Sequence, residues 1–105
     1  MAGEALTRRG RGCWTPLHFA ANKGHENVAE VLLANEAEVD PKAKGSYTPL
    51  YFAVFSGFED LTVLLLANNA DVNALDGRGE TLLRMVAFRG HKNLMDLLRE
   101  HGGHE

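Results

Sequence analysis

The chain has 105 residues, enough for one domain. A formal net charge of −3 gives it no overall attraction to nucleic acid or to an anionic membrane, and no apolar run is long enough to cross a bilayer. Cys13 is the only cysteine, which excludes an intrachain disulfide. The N-terminus also lacks the apolar stretch of a signal peptide, so we expect a cytoplasmic protein in a reducing compartment.

Residues 1–11 contain glycines and arginines but almost no apolar periodicity, which predicts a flexible lead-in. Arg8, Arg9 and Arg11 are better explained as a solvated tail than as phosphate contacts, because no aromatic residues alternate with them. We therefore expect no nucleic-acid partner and no membrane partner.

Beyond the lead-in the chain repeats itself every 33 residues, the step from Thr15 to Thr48 and from Thr48 to Thr81. A fixed period of this size is typical of a stacked repeat array. The copies predict one domain over residues 12–105, divided into repeats at about 12–44, 45–76 and 77–105.

Each repeat predicts two helices separated by a glycine turn. The repeated Thr can cap the first helix, and the Pro that follows it in two of the repeats occupies the first helical position, where its missing N–H costs nothing. The second helix carries apolar residues at i, i+3 and i+4, which lie on one face. The predicted helices span residues 16–23, 26–35, 49–56, 59–68, 82–89 and 92–101.

The apolar residues of these helices predict the core. In repeat one the expected core residues are Leu17, Ala20 and Ala21 of the first helix and Val28, Val31 and Leu32 of the second. Leu65 and Leu98 each end an apolar stripe and are expected between repeats. Glu36 follows a second helix, where a positive φ would strain a residue with a Cβ by about 1 kcal/mol.

The segments TPLHFAANKGH in the first copy and LLLANNADVNA in the second resemble the ankyrin repeat. The resemblance covers the chain from about Gly12 to its end. It implies an all-α solenoid of three stacked helix-turn-helix units joined by β-hairpin-like loops. It also implies a non-catalytic module that binds a folded protein partner on a concave surface, with His18 as a structural imidazole bonded to the neighbouring loop.

Aromatic residues occupy the positions that line the partner surface in the family that the chain resembles. These positions are the residue before each Thr, on the hairpin, and the two residues before each turn glycine, at the exposed end of the first helix. The predicted partner-binding residues are Trp14, Asn22, Lys23, Tyr47, Phe55, Ser56, Glu80, Phe88 and Arg89, with Tyr51 added because it takes the place of His18. A contiguous apolar surface rimmed by charge marks a binding site.

The register of these rings predicts their arrangement. Phe55 and Phe88 are one repeat apart, as are Trp14 and Tyr47, so we expect two parallel rows of rings on one face, with Tyr47 and Phe55 at the centre of the site. The alternative is that the rings pack on the hairpin stems or on each other and stabilise a short array.

No pattern in the chain predicts catalysis, a cofactor, a metal site or a small-molecule substrate. The histidines lack partners at ligand spacing, and neither Gly-x-Gly follows a strand and opens a long helix. Two other functions stay open: an engineered or cryptic catalyst that uses Cys13 with a nearby His, and a scaffold fragment of a larger protein. A natural binder and an engineered or selected one fit the sequence equally.

Overall fold

The computed structural model describes residues 11–104, so the lead-in predicted for residues 1–11 lies outside the described part except for Arg11. A short 3-10 turn at Arg11–Cys13 precedes the helices. The six α-helices are α1 (Pro16–Lys23), α2 (Glu26–Ala34), α3 (Pro49–Ser56), α4 (Glu59–Ala67), α5 (Leu82–Arg89) and α6 (Lys92–Glu100). They confirm the predicted all-α fold of three helix pairs. Each second helix ends one residue before its predicted end.

The first helices begin and end at the residues that the repeat pattern predicts. The hydroxyl oxygens of Thr15, Thr48 and Thr81 accept hydrogen bonds from backbone N–H groups of the first turn, which satisfies donors that a helix leaves unpaired. The turn glycines close these helices in the left-handed conformation, with φ of 75° at Gly24 and 80° at Gly57.

The second helices end with a different capping arrangement. The side-chain amides of Asn35 and Asn68 each donate to a carbonyl one turn earlier, at 2.8 and 2.9 Å. The next residue in each repeat has a positive φ, which is 69° at Glu36, 68° at Asn69 and 87° at Gly102. Glu36 therefore has the positive φ on which the expected strain depends.

The loops between repeats turn back as tight hairpins that stack on one another. Ala43 and Tyr47 form an isolated antiparallel bridge, with a 2.8 Å hydrogen bond from Ala43 N–H to the Tyr47 carbonyl. Successive hairpins are joined by backbone bonds of 2.7 Å, from Lys44 N–H to the Gly12 carbonyl and from Gly77 N–H to the Gly45 carbonyl. These bonds fix the spacing of the repeats on the hairpin side.

The helices form two layers. One layer contains α1, α3 and α5, which pack in that order, and α2 packs on α4 in the other. The core lies between the layers and between repeats, and Leu17, Leu65 and Leu98 are fully buried there. No helix within residues 11–104 is long and apolar enough to cross a membrane.

The core prediction for Val28 and Val31 is wrong. Val28 is 51% exposed and Val31 61% exposed, whereas Ala29 and Leu32 are the buried residues of α2. Leu61, at the place of Val28 in repeat two, is buried on a helix that packs on the helix of the preceding repeat. The described residues contain no repeat before repeat one, so Val28 has no such neighbour.

Candidate functional site

The two layers differ in the side chains they carry. All aromatic residues of the helices lie on the first helices, whereas α2, α4 and α6 contain none. We call α1, α3 and α5, with the hairpin residues Trp14, Tyr47 and Glu80, the first-helix side.

The charges are divided in the same way. The first helices carry three cations, Lys23, Arg84 and Arg89, and no carboxylate. The second helices carry six carboxylates and two cations, Lys92 and Arg99. A chain with a net negative charge thus has one side that is aromatic and cationic.

Six rings on the first-helix side contact one another and form what we call the ring cluster. Its members are Trp14, Phe19, Tyr47, Tyr51, Phe52 and Phe55. The Phe52 ring lies 4.5 Å from the Trp14 ring and 5.9 Å from the Tyr47 ring, measured between centroids. Phe52 therefore joins the hairpin ring of repeat one to that of repeat two, at separations typical of favourable aromatic pairs.

His18 ties the ring cluster to the backbone. It is fully buried, its Nδ1 accepts a hydrogen bond of 3.0 Å from Thr15 N–H, and its Nε2 lies 2.9 Å from the Tyr47 carbonyl oxygen. Because Nδ1 accepts, Nε2 is the protonated nitrogen and donates to Tyr47. The imidazole thus bonds repeat one to repeat two, which is the structural role that the resemblance implied.

The predicted rings differ in their surroundings. Trp14 and Tyr47 are half-buried because the rings of Phe52 and Tyr51 pack against them. Phe55 is 42% exposed and Phe88 is 94% exposed. Within residues 11–104, Phe88 is in ring contact with no other aromatic side chain. The hairpin rings therefore correspond more closely to the alternative of mutual packing, and the helix-end rings face solvent.

A groove of about 420 Å³ lies at the C-terminal end of the ring cluster, and we call it the arginine groove. It is lined by Tyr51, Phe55, Arg78, Glu80, Arg84, Met85, Phe88 and Arg89. The guanidinium carbon of Arg89 lies 4.3 Å from the centre of the Phe55 ring, a cation–π contact. In the described part of the chain, neither Arg84 nor Arg89 forms an ion pair with a carboxylate.

The third arginine of the groove is held by the hairpin beneath it. An Arg78 guanidinium nitrogen lies 3.3 Å from a carboxylate oxygen of Asp76, whose other oxygen accepts from the backbone N–H groups of Arg78 and Glu80. Burial alone would raise the pKa of Asp76, but these hydrogen bonds and the Arg78 charge outweigh it and lower the pKa. Asp76 is therefore ionised at neutral pH and orders the hairpin.

Tyr51 is shared by the ring cluster and the arginine groove. Its burial, and then its neighbour Tyr47, raise the pKa of the Tyr51 phenol above the ordinary value of 10.0. The hydroxyl is thus neutral at physiological pH and available as a hydrogen-bond donor.

The remaining predicted site residues lie around these two features. Asn22 and Glu80 are half-buried, while Lys23, Ser56 and Arg89 are exposed. All lie on the first-helix side. Asn22 and Lys23 do not line the arginine groove.

Several residues of both features were missed by the sequence prediction. Phe19, Phe52 and Met85 occupy one place in the three repeats, and the residues just before them are His18, Tyr51 and Arg84. Their 33-residue spacing was a usable signal. The predicted site included Tyr51 from these two repeat positions but not Phe19, Phe52, Arg84 or Met85.

Metal binding or catalysis would require suitable side chains close together. Among the described residues no group of three or more His, Cys, Asp or Glu side chains is placed to hold a metal ion. Cys13 is exposed, and both ring nitrogens of His18, the nearest histidine in sequence, already bond the backbone. His18 is thus poorly suited to activate a thiol as a general base.

Stacked helix pairs joined by hairpins, each pair opened by a Thr cap and divided by a left-handed glycine, define a helical repeat solenoid. A family model described as ankyrin repeats (3 copies) matches residues 3–76, and another described as ankyrin repeats (many copies) matches residues 59–99. The chain belongs to the ankyrin repeat family, whose members are generally protein–protein interaction modules. No curated protein matches the chain.

Proposed function

We propose that the chain is a non-catalytic module that holds a folded protein partner against its first-helix side. The observation that carries the proposal is the placement of nearly bare aromatic surface, above all Phe88 at 94% exposure, on the same side as Arg84 and Arg89, which form no ion pair within residues 11–104. Large aromatic residues and Arg are the types that dominate interface hot spots. The second-helix side has no aromatic residue in its helices and is rich in carboxylates.

The proposed contact surface extends over all the predicted partner-binding residues, but its centre lies at Phe55 and Phe88. Tyr47 is less suited to the centre, because its ring already packs on Tyr51 at 4.3 Å. A ring that is already covered gains less from a partner than one that loses its water on binding. Lys23 and Glu80 then belong to the rim.

Two alternatives are weaker. A catalyst built on Cys13 would need a base, and His18 is committed to the backbone. Alkylation of Cys13 distinguishes the catalyst from the binding module. A binding module still binds its partner after alkylation, whereas a catalyst that uses Cys13 loses its turnover.

A scaffold fragment would use its surfaces only to hold other domains, so substitutions on its exposed rings would leave every partner bound. The single cysteine also fits the proposed cytoplasmic location.

The test captures partners from the cell of origin with the wild-type chain and repeats the capture with Phe88→Ala. Val63→Ala is the matched control, because Val63 is also exposed (45%) but lies on α4, in the other layer. Each captured protein is then purified and its affinity for the variants measured by calorimetry. We expect Phe55→Ala or Phe88→Ala to cost about 2–4 kcal/mol of binding and Lys23→Ala less than about 1 kcal/mol. Partners that bind Phe88→Ala as tightly as wild type, or that Val63→Ala loses, would overturn the proposal.

A further inference from the structure

The arginine groove differs from the rest of the surface in combining exposed rings with uncompensated positive charge. Among the described residues that line it are three arginines and one carboxylate, that of Glu80. Arg78 already has a carboxylate partner in Asp76, which leaves Arg84 and Arg89 without an ion pair among the described residues. Two guanidinium groups therefore face the groove with most of their hydrogen-bonding capacity unused.

We propose that the arginine groove binds an acidic linear segment of the protein partner, one in which carboxylates flank a bulky apolar side chain. This inference rests on the proposed function and specifies the chemistry of the partner. The carboxylates pair with Arg84 and Arg89, whose planar guanidinium groups match a carboxylate with two parallel hydrogen bonds. The apolar side chain covers Phe88 and the exposed edge of Phe55.

Both parts of the segment are required by the groove. An apolar segment alone would bury two charged groups without partners, which is costly. An acidic segment without an apolar residue would leave Phe88, 94% exposed, still in water and would contact only solvated charges, whose pairing contributes little. The combination of charged and aromatic side chains in the groove thus favours a mixed segment.

Single-stranded nucleic acid also combines negative charge with flat apolar groups, and it is the less favoured occupant. A nucleic-acid site needs a basic stripe that follows several phosphates. Here the three arginines are confined to one groove, and the second helices of the same small chain carry six carboxylates. These carboxylates would repel a polyanion that is longer than the groove.

Two arginines of the groove are held in place by neighbouring residues of the chain itself. Arg89 lies over the Phe55 ring, which helps to hold the guanidinium group in place. Asp76 fixes the hairpin that carries Arg78 at the groove edge. Two of the three arginines are thereby positioned before any ligand binds, which lowers the entropy cost of binding.

The test selects a displayed library of random linear peptides on the full chain. We expect the enriched peptides to contain two or more Asp or Glu residues within a few positions of Phe, Trp, Leu or Met. Affinities of synthesised peptides are then measured by fluorescence anisotropy for the wild-type chain, for Arg84→Gln/Arg89→Gln and for Phe88→Ala. Each variant is expected to weaken binding about tenfold or more. The affinity for wild type should also fall as salt increases.

The matched control is Lys92→Gln/Arg99→Gln, which removes the same charge from α6 on the opposite side of the stack. It should leave the affinity within about twofold of wild type. Thermal melting of each variant separates lost binding from lost folding, and Arg84→Gln alone avoids disturbing the Arg89–Phe55 contact. A single-stranded oligonucleotide and a peptide with Asn and Gln in place of its acids complete the set of probes.

The outcomes are distinct. Enrichment of neutral or basic peptides, no enrichment at all, or equal binding of selected peptides to Arg84→Gln/Arg89→Gln each overturns the acidic segment. Tighter binding of the oligonucleotide than of the acidic peptide overturns it in favour of nucleic acid. If a folded partner is lost with Phe88→Ala but not with the arginine variants, the proposed function stands and only the chemistry assigned to the groove is wrong.

Discussion

The ring cluster and the arginine groove occupy the same side of the molecule, yet their aromatic residues have different surroundings. In the cluster, Trp14 and Tyr47 are half-buried and contact other rings across the boundary of repeats one and two. In the groove, Phe88 has no ring neighbour among residues 11–104 and is almost fully exposed. Aromatic residues on the same side of the array can thus stabilise it at the hairpins and remain available to a partner at the helix ends.

The largest effect is expected from a residue that both regions depend on. Leu65 is fully buried on α4, in the middle repeat. Leu65→Ala should lower the free energy of unfolding by about 2–5 kcal/mol, through lost transfer energy and the cavity left behind. Val63→Ala on the exposed face of the same helix should change it by less than about 1 kcal/mol. Chemical denaturation measures both, and equal effects would contradict the assigned core.

The comparison itself is tested by truncating one ring from each region. Trp14→Ala should reduce stability by about 2–3 kcal/mol, less than the loss for a fully buried ring because Trp14 is half-exposed. Phe88→Ala should change stability by no more than about 0.5 kcal/mol. Urea unfolding of both variants is the measurement. If Phe88→Ala proves as destabilising as Trp14→Ala, the two regions do not differ in the way described.

Much of the fold was predictable because its signals are local. The Thr caps and the turn glycines lie within a few residues of the helices they bound, so all first-helix ranges were predicted correctly. The burial of Val28 was not predictable by analogy with Leu61, because the burial of that position depends on the preceding repeat. Two repeats can be similar in sequence and still differ in burial, because only one of them has a preceding repeat packed against it.

The site was predicted less completely. The helix-end positions identified Phe55, Phe88 and Arg89, but Arg78 and Arg84 come from a hairpin and from the first turn of α5. Only the packing of the hairpin against that helix places these residues at one groove. Exposure was also overestimated for Trp14, since its contact with Phe52 spans 38 residues of the sequence.

A smaller effect is expected at the end of α2, in the repeat that carries Trp14 and His18. Glu36 has a φ of 69°, where a Cβ is strained, whereas Gly102 closes repeat three without that strain. Glu36→Gly should therefore raise the free energy of unfolding by about 1 kcal/mol. Ala34→Gly, two residues earlier and still helical, should lower it by about 0.5–1 kcal/mol. Thermal unfolding distinguishes the signs, and a destabilised Glu36→Gly would show that its side chain stabilises the turn.

The smallest expected effects come from two aspartates, Asp40 and Asp76, whose pKa values shift in opposite directions. Asp40 accepts a hydrogen bond of 2.9 Å from Asp71 N–H, and within residues 11–104 no donor reaches its buried Oδ1. Burial, which outweighs that bond, raises the pKa of Asp40 above 3.8. Asp76, below the arginine groove, has its pKa lowered because its hydrogen bonds outweigh burial.

The two shifts predict opposite pH dependences. The stability that Asp40 contributes is fully present below about pH 3.8 and is lost as the pH rises through its raised folded value, so Asp40→Asn should be slightly more stable than wild type at pH 7. The stability that Asp76 contributes is present above about pH 3.8 and is lost as the pH falls through its lowered folded value, so Asp76→Asn should be less stable at pH 7. Each difference should be below about 1 kcal/mol, because partly solvated charges interact weakly.

Unfolding of both variants and of wild type at a series of pH values from 2 to 7 measures these differences, and comparison at equal pH cancels the titration of the other carboxylates. The Asp40→Asn advantage should disappear in acid, where Asp40 itself binds a proton and no longer leaves a buried charge. The lower stability of Asp76→Asn should disappear at still lower pH, since the Asp76 carboxylate stays ionised to a lower pH.

The same variants test the arginine groove. Because Asp76 orders the hairpin of Arg78, Asp76→Asn should also bind an acidic peptide in the arginine groove more weakly, whereas Asp40→Asn should leave that binding unchanged. A change in peptide affinity of equal size in both variants would mean that the hairpin of the groove is not separately positioned by Asp76.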